Sequence, residues 1–274
     1  MNIAKSNSNP VFYFDNLDSL RFFAFLFVFV SHAALFLGYE NSSHFFTLFK
    51  EYVLVNGDIG VSFFFVLSGF LITYLLFKEK DENNEISLKK FYIRRILRIW
   101  PVYFLTLFIG FFVLPLFLRY FLGDTMLPFL TYPSLSFLPS YLFFLANFSL
   151  AFRGGVSVPA DVLWSISVEE QFYLVWPFFV SFLKRRYIPW FLCTVIFCSS
   201  LYRFFYASSS DVIAYSTFSV MSDLAIGALL SWLVYTKHTL IKHLKKIHSS
   251  FIFLLYMLIP MLIIGRHFLL RQSI

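Results

Sequence analysis

Charge is scarce in this chain: of its 274 residues only 14% are Asp, Glu, Lys or Arg, where a soluble domain carries roughly a quarter. Cysteine is scarcer still. Cys193 and Cys198 lie five positions apart in one apolar run, a pattern that gives neither a disulfide framework nor a zinc site and reads as small apolar helix residues. The apolar stretches do not alternate with polar residues, which excludes a porin-type barrel, whose strands alternate over ~10 residues. No small-residue cleavage site follows the first apolar run, so the N-terminus reads as a retained span and not as a removed signal peptide. Together these absences exclude a disordered chain, a nucleic-acid-binding domain and almost any water-soluble enzyme.

What fills the space is apolar and aromatic. Hydrophobic residues make up 59% of the chain, 41 of them Phe, and the mean hydropathy is +0.75. Lipid is the solvent that accepts such a composition. The class expected is all-α, a polytopic transmembrane helical bundle that occupies residues 1–274 as one domain. Seven runs are long enough to cross, at 17–38, 57–77, 99–118, 163–183, 187–206, 212–236 and 249–268, each near the ~20 residues a bilayer requires. An eighth apolar patch, 138–152, is shorter and sits among Pro128, Pro133, Pro139, Pro159, Gly154 and Gly155. That punctuation predicts a re-entrant segment. Basic residues concentrate at 78–98, 184–186 and 237–246, which hold 14 of the 22 Lys and Arg. With 138–152 re-entrant these stretches share one side of the membrane, so the positive-inside rule predicts a cytoplasmic N-terminus.

Polar groups inside apolar runs are costly and mark sites or water-filled paths. Arg21 and His32 are eleven residues apart, close to three turns, so they share a helix face. His takes and returns a proton near neutral pH, although a snorkelling Arg and a hydrogen-bonded core His are the plainer readings. Lys90, Arg94 and Arg98 recur at i, i+4 and i+8, a basic stripe on one helical face. The stripe suits phosphates, and it equally suits topology or anionic headgroups. Glu169, Tyr173 and Trp176 form a face with a carboxylate, a phenol and an indole, a set that holds sugars and also describes an interfacial aromatic belt. Ser68-Gly69 permits close helix packing. Asp58 is a helix-start residue or a partner for the His, and Asp223 puts another carboxylate just inside the run at 212–236. Nothing clusters as metal ligands. Asn147-Phe148-Ser149 matches the glycosylation tripeptide, a pattern too common to carry weight.

Four motifs stand in order: Arg21 with His32; Gly60-Val61 through Ser68-Gly69-Phe70; Arg94-Arg95-x-x-Arg98-x-x-Pro101; and Trp164-Ser165-x-Ser167-Val168-Glu169-Glu170-Gln171-Phe172-Tyr173. Together they resemble the acyltransferase-3 family of integral membrane O-acyltransferases. The later Asp223-to-Gly227 stretch resembles the family too, except that the Arg often found before that Asp is replaced by Met221-Ser222. The resemblance implies transfer of an acyl group, commonly acetyl from acetyl-CoA, to a hydroxyl of a surface or exported glycan. Lipopolysaccharide, exopolysaccharide, peptidoglycan and lipid-linked sugars are the acceptor classes it brings. In that reading His32 is the general base, Glu169 orients the acceptor or His32, and Arg21 binds the donor or stabilises developing charge. Lys90, Arg94, Arg95 and Arg98 hold the coenzyme phosphates, and no metal is involved. The expected location is the inner (cytoplasmic) membrane. Family members have about ten spans of ~20 residues, so the C-terminal helices are expected to be missing here. Two rival expectations remain: a transporter or flippase with an Arg21-His32-Glu169 relay, which has no need of the basic stripe, and an inactive remnant.

Overall fold

Every regular element in the computed structural model is helical, and no strand occurs among the residues it describes, which are 17–35, 57–122, 134–155 and 158–237. The expected run at 249–268 and positions 238–246 of the third basic stretch lie outside them. The chain divides into two compact units, residues 1–60 and 61–274.

The first unit contains α1 (Leu17–Leu35) and the first turn of α2 (Gly57–Asn83). Gly60 lies against the backbone and side chains of α1 at Ala24 and Val28. A side chain at this position would press into Val28. Asp58 is exposed in the first turn of α2, where a carboxylate complements the helix dipole.

The second unit continues with α3 (Leu88–Phe108), which runs through a π turn at Ile109–Val113 into α4 (Leu114–Leu122). Two short helices follow, α5 (Leu138–Leu142) and α6 (Ala146–Arg153), then the single turn α7 (Val158–Asp161). The last four are α8 (Leu163–Phe182), α9 (Ile188–Phe205), α10 (Ser210–Tyr215) and α11 (Thr217–Thr236).

Among the described residues, four stretches are long and apolar enough to cross a membrane: Gly57–Asn83, Leu88–Phe121, Arg185–Phe205 and Ser210–Thr236. They coincide with four of the seven expected runs. Of the remainder, α1 carries a shorter apolar helix, Ser19–Ala33, and α8 is a full-length helix diluted by polar residues. The dilution has a packing reason. Residues of α8 enter all three buried apolar clusters: Tyr173 and Trp176 the first, Leu163 the second and Val168 the third. A helix surrounded by protein needs no uniform apolar surface. By contrast α9, whose Trp190, Phe204 and Phe205 are each about three-quarters exposed, presents the surface that hydrocarbon solvates.

The structure corrects the placing of the basic stretch 78–98. It is not a loop. Only residues 84–87 separate α2 from α3, and Lys90, Arg94 and Arg98 ride on helix. The 34 residues of Leu88–Phe121 would measure about 51 Å, well beyond the ~30 Å hydrocarbon core. The first basic turns therefore extend out of the hydrocarbon. Segment 138–152 forms no continuous helix. It breaks between α5 and α6 at Phe144, which has φ +55°, and neither short helix is long enough to cross.

α2 and α11 meet backbone to backbone. A Cβ on Gly69 would fall on the carbonyl oxygen of Leu224, and a Cβ on Gly227 on that of Val66. This reciprocal contact fixes the crossing and brings Ser68 to the side of α8.

Candidate active site

The second unit gathers the motif residues of α2, α3 and α8. Glu169 accepts from Ser68 Oγ at 2.5 Å on one oxygen and from Tyr173 Oη at 3.3 Å on the other. The Tyr173 bond follows from the i, i+4 register of one helix; the Ser68 bond depends on the Gly69 crossing. Trp176, one turn on, donates Nε1–H to Thr73 Oγ1 at 2.8 Å, and Thr73 donates to the Gly69 carbonyl at 2.7 Å. The carboxylate, the phenol and the indole expected on one face of α8 are thus all engaged with α2 or with each other. Ser68, read from sequence only as a packing residue, is a direct ligand of Glu169.

Adjacent residues of α3 go to different surroundings. Arg95 is half-buried, with its guanidinium carbon 5.4 Å from the centre of the Tyr173 ring and 5.6 Å from that of Phe91. Arg94 points outward, 58% exposed, and pairs with Glu79 at 3.1 Å. Lys90 and Arg98 are exposed as well. The four expected phosphate ligands therefore divide. Lys90, Arg94 and Arg98 form the outer stripe, and Arg95, rotated by one residue, faces the α8 carboxylates.

Glu170 was not singled out by sequence reasoning. Trp100 Nε1 donates to its Oε2 at 3.2 Å, whereas its Oε1 is buried and makes no hydrogen bond among the described residues. Buried acceptors of this kind are costly, and this one lies on the helix that carries Glu169.

Segment 138–152 is pinned against α8 by a closed ring of amides and hydroxyl. Gln171 Nε2 donates to Asn147 Oδ1 at 2.9 Å, Asn147 Nδ2 to Thr217 Oγ1 at 2.8 Å, and Thr217 Oγ1 to Gln171 Oε1 at 2.5 Å. Each side chain donates once around the ring, and Gln171 also donates to the Phe144 carbonyl at 2.7 Å. Phe144 is a bulky residue in the left-handed region, which carries a cost. The Gln171 bond and its ring packing against Tyr103, with centroids 4.4 Å apart, hold it there. Asn147 is fully buried, which removes the glycosylation reading of its tripeptide. Nearby, the buried Tyr141 donates to Asp161 Oδ1 at 2.9 Å. Burial first, and the Asp161 carboxylate second, push the Tyr141 phenol above its ordinary range, so it remains a donor.

The Arg missing before Asp223 has a replacement that sequence spacing did not reveal. Arg203 reaches from α9 to within 3.9 Å of the Asp223 carboxylate and donates to Ser222 Oγ at 3.1 Å and Ser219 O at 3.0 Å.

In the first unit, His32 is half-buried in α1 and its Nδ1 lies 2.8 Å from the Val28 carbonyl oxygen. A carbonyl only accepts, so Nδ1 is the donor in this contact and Nε2 is the ring nitrogen it leaves open. Arg21 is half-buried in the same helix. Among the described residues no group of three or more His, Cys, Asp and Glu side chains gathers as a metal site would require.

Comparison with known proteins agrees with the motif order. A peptidoglycan O-acetyltransferase of Listeria monocytogenes is 37% identical over 134 residues, 47% of this chain and 21% of that protein. A putative peptidoglycan O-acetyltransferase of Bacillus subtilis is 33% identical over 61% of this chain and 24% of its own length. A putative O-acetyltransferase of Staphylococcus aureus is 31% identical over 81% of this chain and 35% of its own length. The chain thus spans between a fifth and about a third of the length of these relatives. No solved structure matches. A model of the acyltransferase domain matches residues 14–270, nearly the whole sequence, and the chain belongs to the acyltransferase-3 family.

Proposed function

We propose that the protein is a membrane O-acyltransferase that moves an acetyl group from acetyl-CoA to a hydroxyl of a cell-envelope glycan. Peptidoglycan is the acceptor class favoured, because two of the relatives are named for it. The observation that carries the reading is the 2.8 Å contact of His32 Nδ1 with the Val28 carbonyl, which engages that nitrogen and leaves Nε2 as the one open to a substrate proton. A general base needs that arrangement, with one ring nitrogen anchored and the other open.

The thioester supplies an activated carbonyl and a thiolate leaving group. His32 Nε2 accepts the proton of the acceptor hydroxyl as its oxygen bonds to the acyl carbon, then returns that proton to the departing sulfur. Atoms and charge balance over the two steps. Arg21, on the same face of α1 but about 16 Å along the helix from His32, binds the acyl donor. In the second unit, Glu169 is fixed at both oxygens by Ser68 and Tyr173 and has the chemistry of a ligand for a sugar hydroxyl. The unpaired Oε1 of Glu170 adds an acceptor for a second sugar hydroxyl.

The outer stripe fits the phosphates of the donor. Lys90 and Arg98 are exposed, and the exposed Arg94 can exchange its partly exposed partner Glu79 for a phosphate. Arg95, packed against two rings, does not fit as a phosphate ligand and instead supports α8. The stripe faces the cytoplasm in this reading, and the membrane is the inner one. Membranes containing the protein, incubated with labelled acetyl-CoA and peptidoglycan, should yield base-labile label on the glycan. Label absent from the glycan at normal protein levels would overturn the proposal.

A further inference from the structure

Away from the motif residues, a cavity of about 370 Å³ opens between the end of α2, the end of α8 and the turn into α9. Its deep walls, Phe77, Val180 and Ile188, are buried and apolar. Its rim is basic, with Lys80, Lys184 and Arg185 set against the carboxylate of Asp81.

Two of those cations are held in place by the fold. Lys80 Nζ donates to the carbonyls of Val180 and Ser181 at 2.7 and 2.9 Å, capping the last turn of α8, where a cation suits the helix dipole. Arg185 pairs with Asp81 at 2.5 Å and lies 5.1 Å from the Phe77 ring centre and 5.0 Å from that of Tyr235. Tyr235 also donates to the second Asp81 oxygen at 2.9 Å. Asp81 is therefore fully engaged, and its charge offsets Arg185. Lys80 donates to those two carbonyls and lies within electrostatic reach of both Asp81 and Arg185. Lys184 is exposed; its carbonyl accepts from Tyr187 N–H at 2.9 Å, while its ammonium group makes no hydrogen bond or ion pair among the described residues.

The cavity thus combines a surplus of positive charge at the rim with apolar walls at the end of a membrane helix. A free inorganic anion would gain nothing from those walls. An amphiphile carrying a phosphate would use both, and Phe182 beside the rim, 80% exposed, offers its chains a further apolar contact. We propose that this cavity binds the headgroup of an anionic phospholipid, with Lys184 and Lys80 at the phosphate and the start of the acyl chains against the apolar wall. The proposal is independent of the acyl-transfer reading.

Native mass spectrometry of the full chain, released from neutral detergent, tests it. Titration with dioleoyl phosphatidylglycerol should give a saturable single adduct, at least about fivefold tighter than dioleoyl phosphatidylcholine, the ratio expected of one interfacial cation. Lys184→Gln, which removes an exposed side chain and so leaves the fold intact, should weaken that adduct by about the same factor. Lys89→Gln, an exposed cation elsewhere on the surface, should leave it unchanged. Equal binding of the two lipids would overturn the proposal, as would an adduct indifferent to Lys184→Gln. Displacement of the lipid by coenzyme A or by inorganic phosphate would overturn the lipid assignment and make the cavity a site for a soluble phosphate.

Discussion

The two faces of α3 carry the same kind of side chain into different surroundings. On the outer face Lys90, Arg94 and Arg98 stand exposed, and Arg94 has a partly exposed carboxylate at 3.1 Å. On the inner face Arg95 lies against the rings of Phe91 and Tyr173, and Trp100 reaches Glu170. One residue of rotation, about 100° on a helix, separates the two roles. The outer cations keep their hydration and remain open to an exchangeable anion. The inner one has given up water for π faces and joins α3 to the helix that carries both glutamates. Guanidinium groups that look interchangeable in the sequence therefore divide into an exposed surface and a brace.

Substitutions that touch the protein-facing side should be the most damaging. Gly227→Val puts a branched side chain onto the Val66 carbonyl, an overpacking expected to cost at least about 3 kcal/mol. The yield of monodisperse protein in mild detergent should collapse, and normal yield would show that the α2–α11 crossing is looser than described. Gln171→Leu leaves Asn147 and Thr217 each short of a partner, a loss of about 2 kcal/mol. It should lower the midpoint of thermal aggregation and expose the 138–152 segment to protease; unchanged protection would mean the ring does not pin that segment. Arg95→Ala removes ring contacts expected to contribute about 1 kcal/mol. Both stability and kcat should fall, because α8 loses its brace. Arg98→Gln is the mildest change: stability should not move, while KM for acetyl-CoA should rise about three- to tenfold and the effect should shrink at high salt. An Arg98 variant that loses kcat and stability as Arg95→Ala does would erase the distinction between the two faces.

Much of this was legible in the sequence, and particular residues show where legibility ended. Hydrophobic runs locate α2, α9 and α11, because lipid imposes a length and an apolar surface that composition records. The Pro and Gly punctuation around 138–152 anticipates the break at Phe144. The apolar run marks α3 only from 99, because charged residues in a helix that leaves the hydrocarbon give no hydropathy signal; the i, i+4, i+8 spacing of Lys90, Arg94 and Arg98 marks its start. The different orientations of Arg94 and Arg95 could have been found from the 100° step, had the motif not been treated as one ligand set. The links from Ser68 to Glu169, from Gln171 around to Asn147, and from Arg203 to Asp223 join residues 101, 24 and 20 positions apart. Such pairings depend on how helices pack, and no local pattern encodes them.

Acyl transfer by a general base at His32 is the central claim, and one measurement addresses it directly. Membranes holding equal amounts of wild-type protein and His32→Ala are given labelled acetyl-CoA, and label on the envelope glycan is counted. Loss of the base should lower the transfer rate by at least about a hundredfold with the protein level unchanged. Transfer by His32→Ala at the wild-type rate would contradict the account.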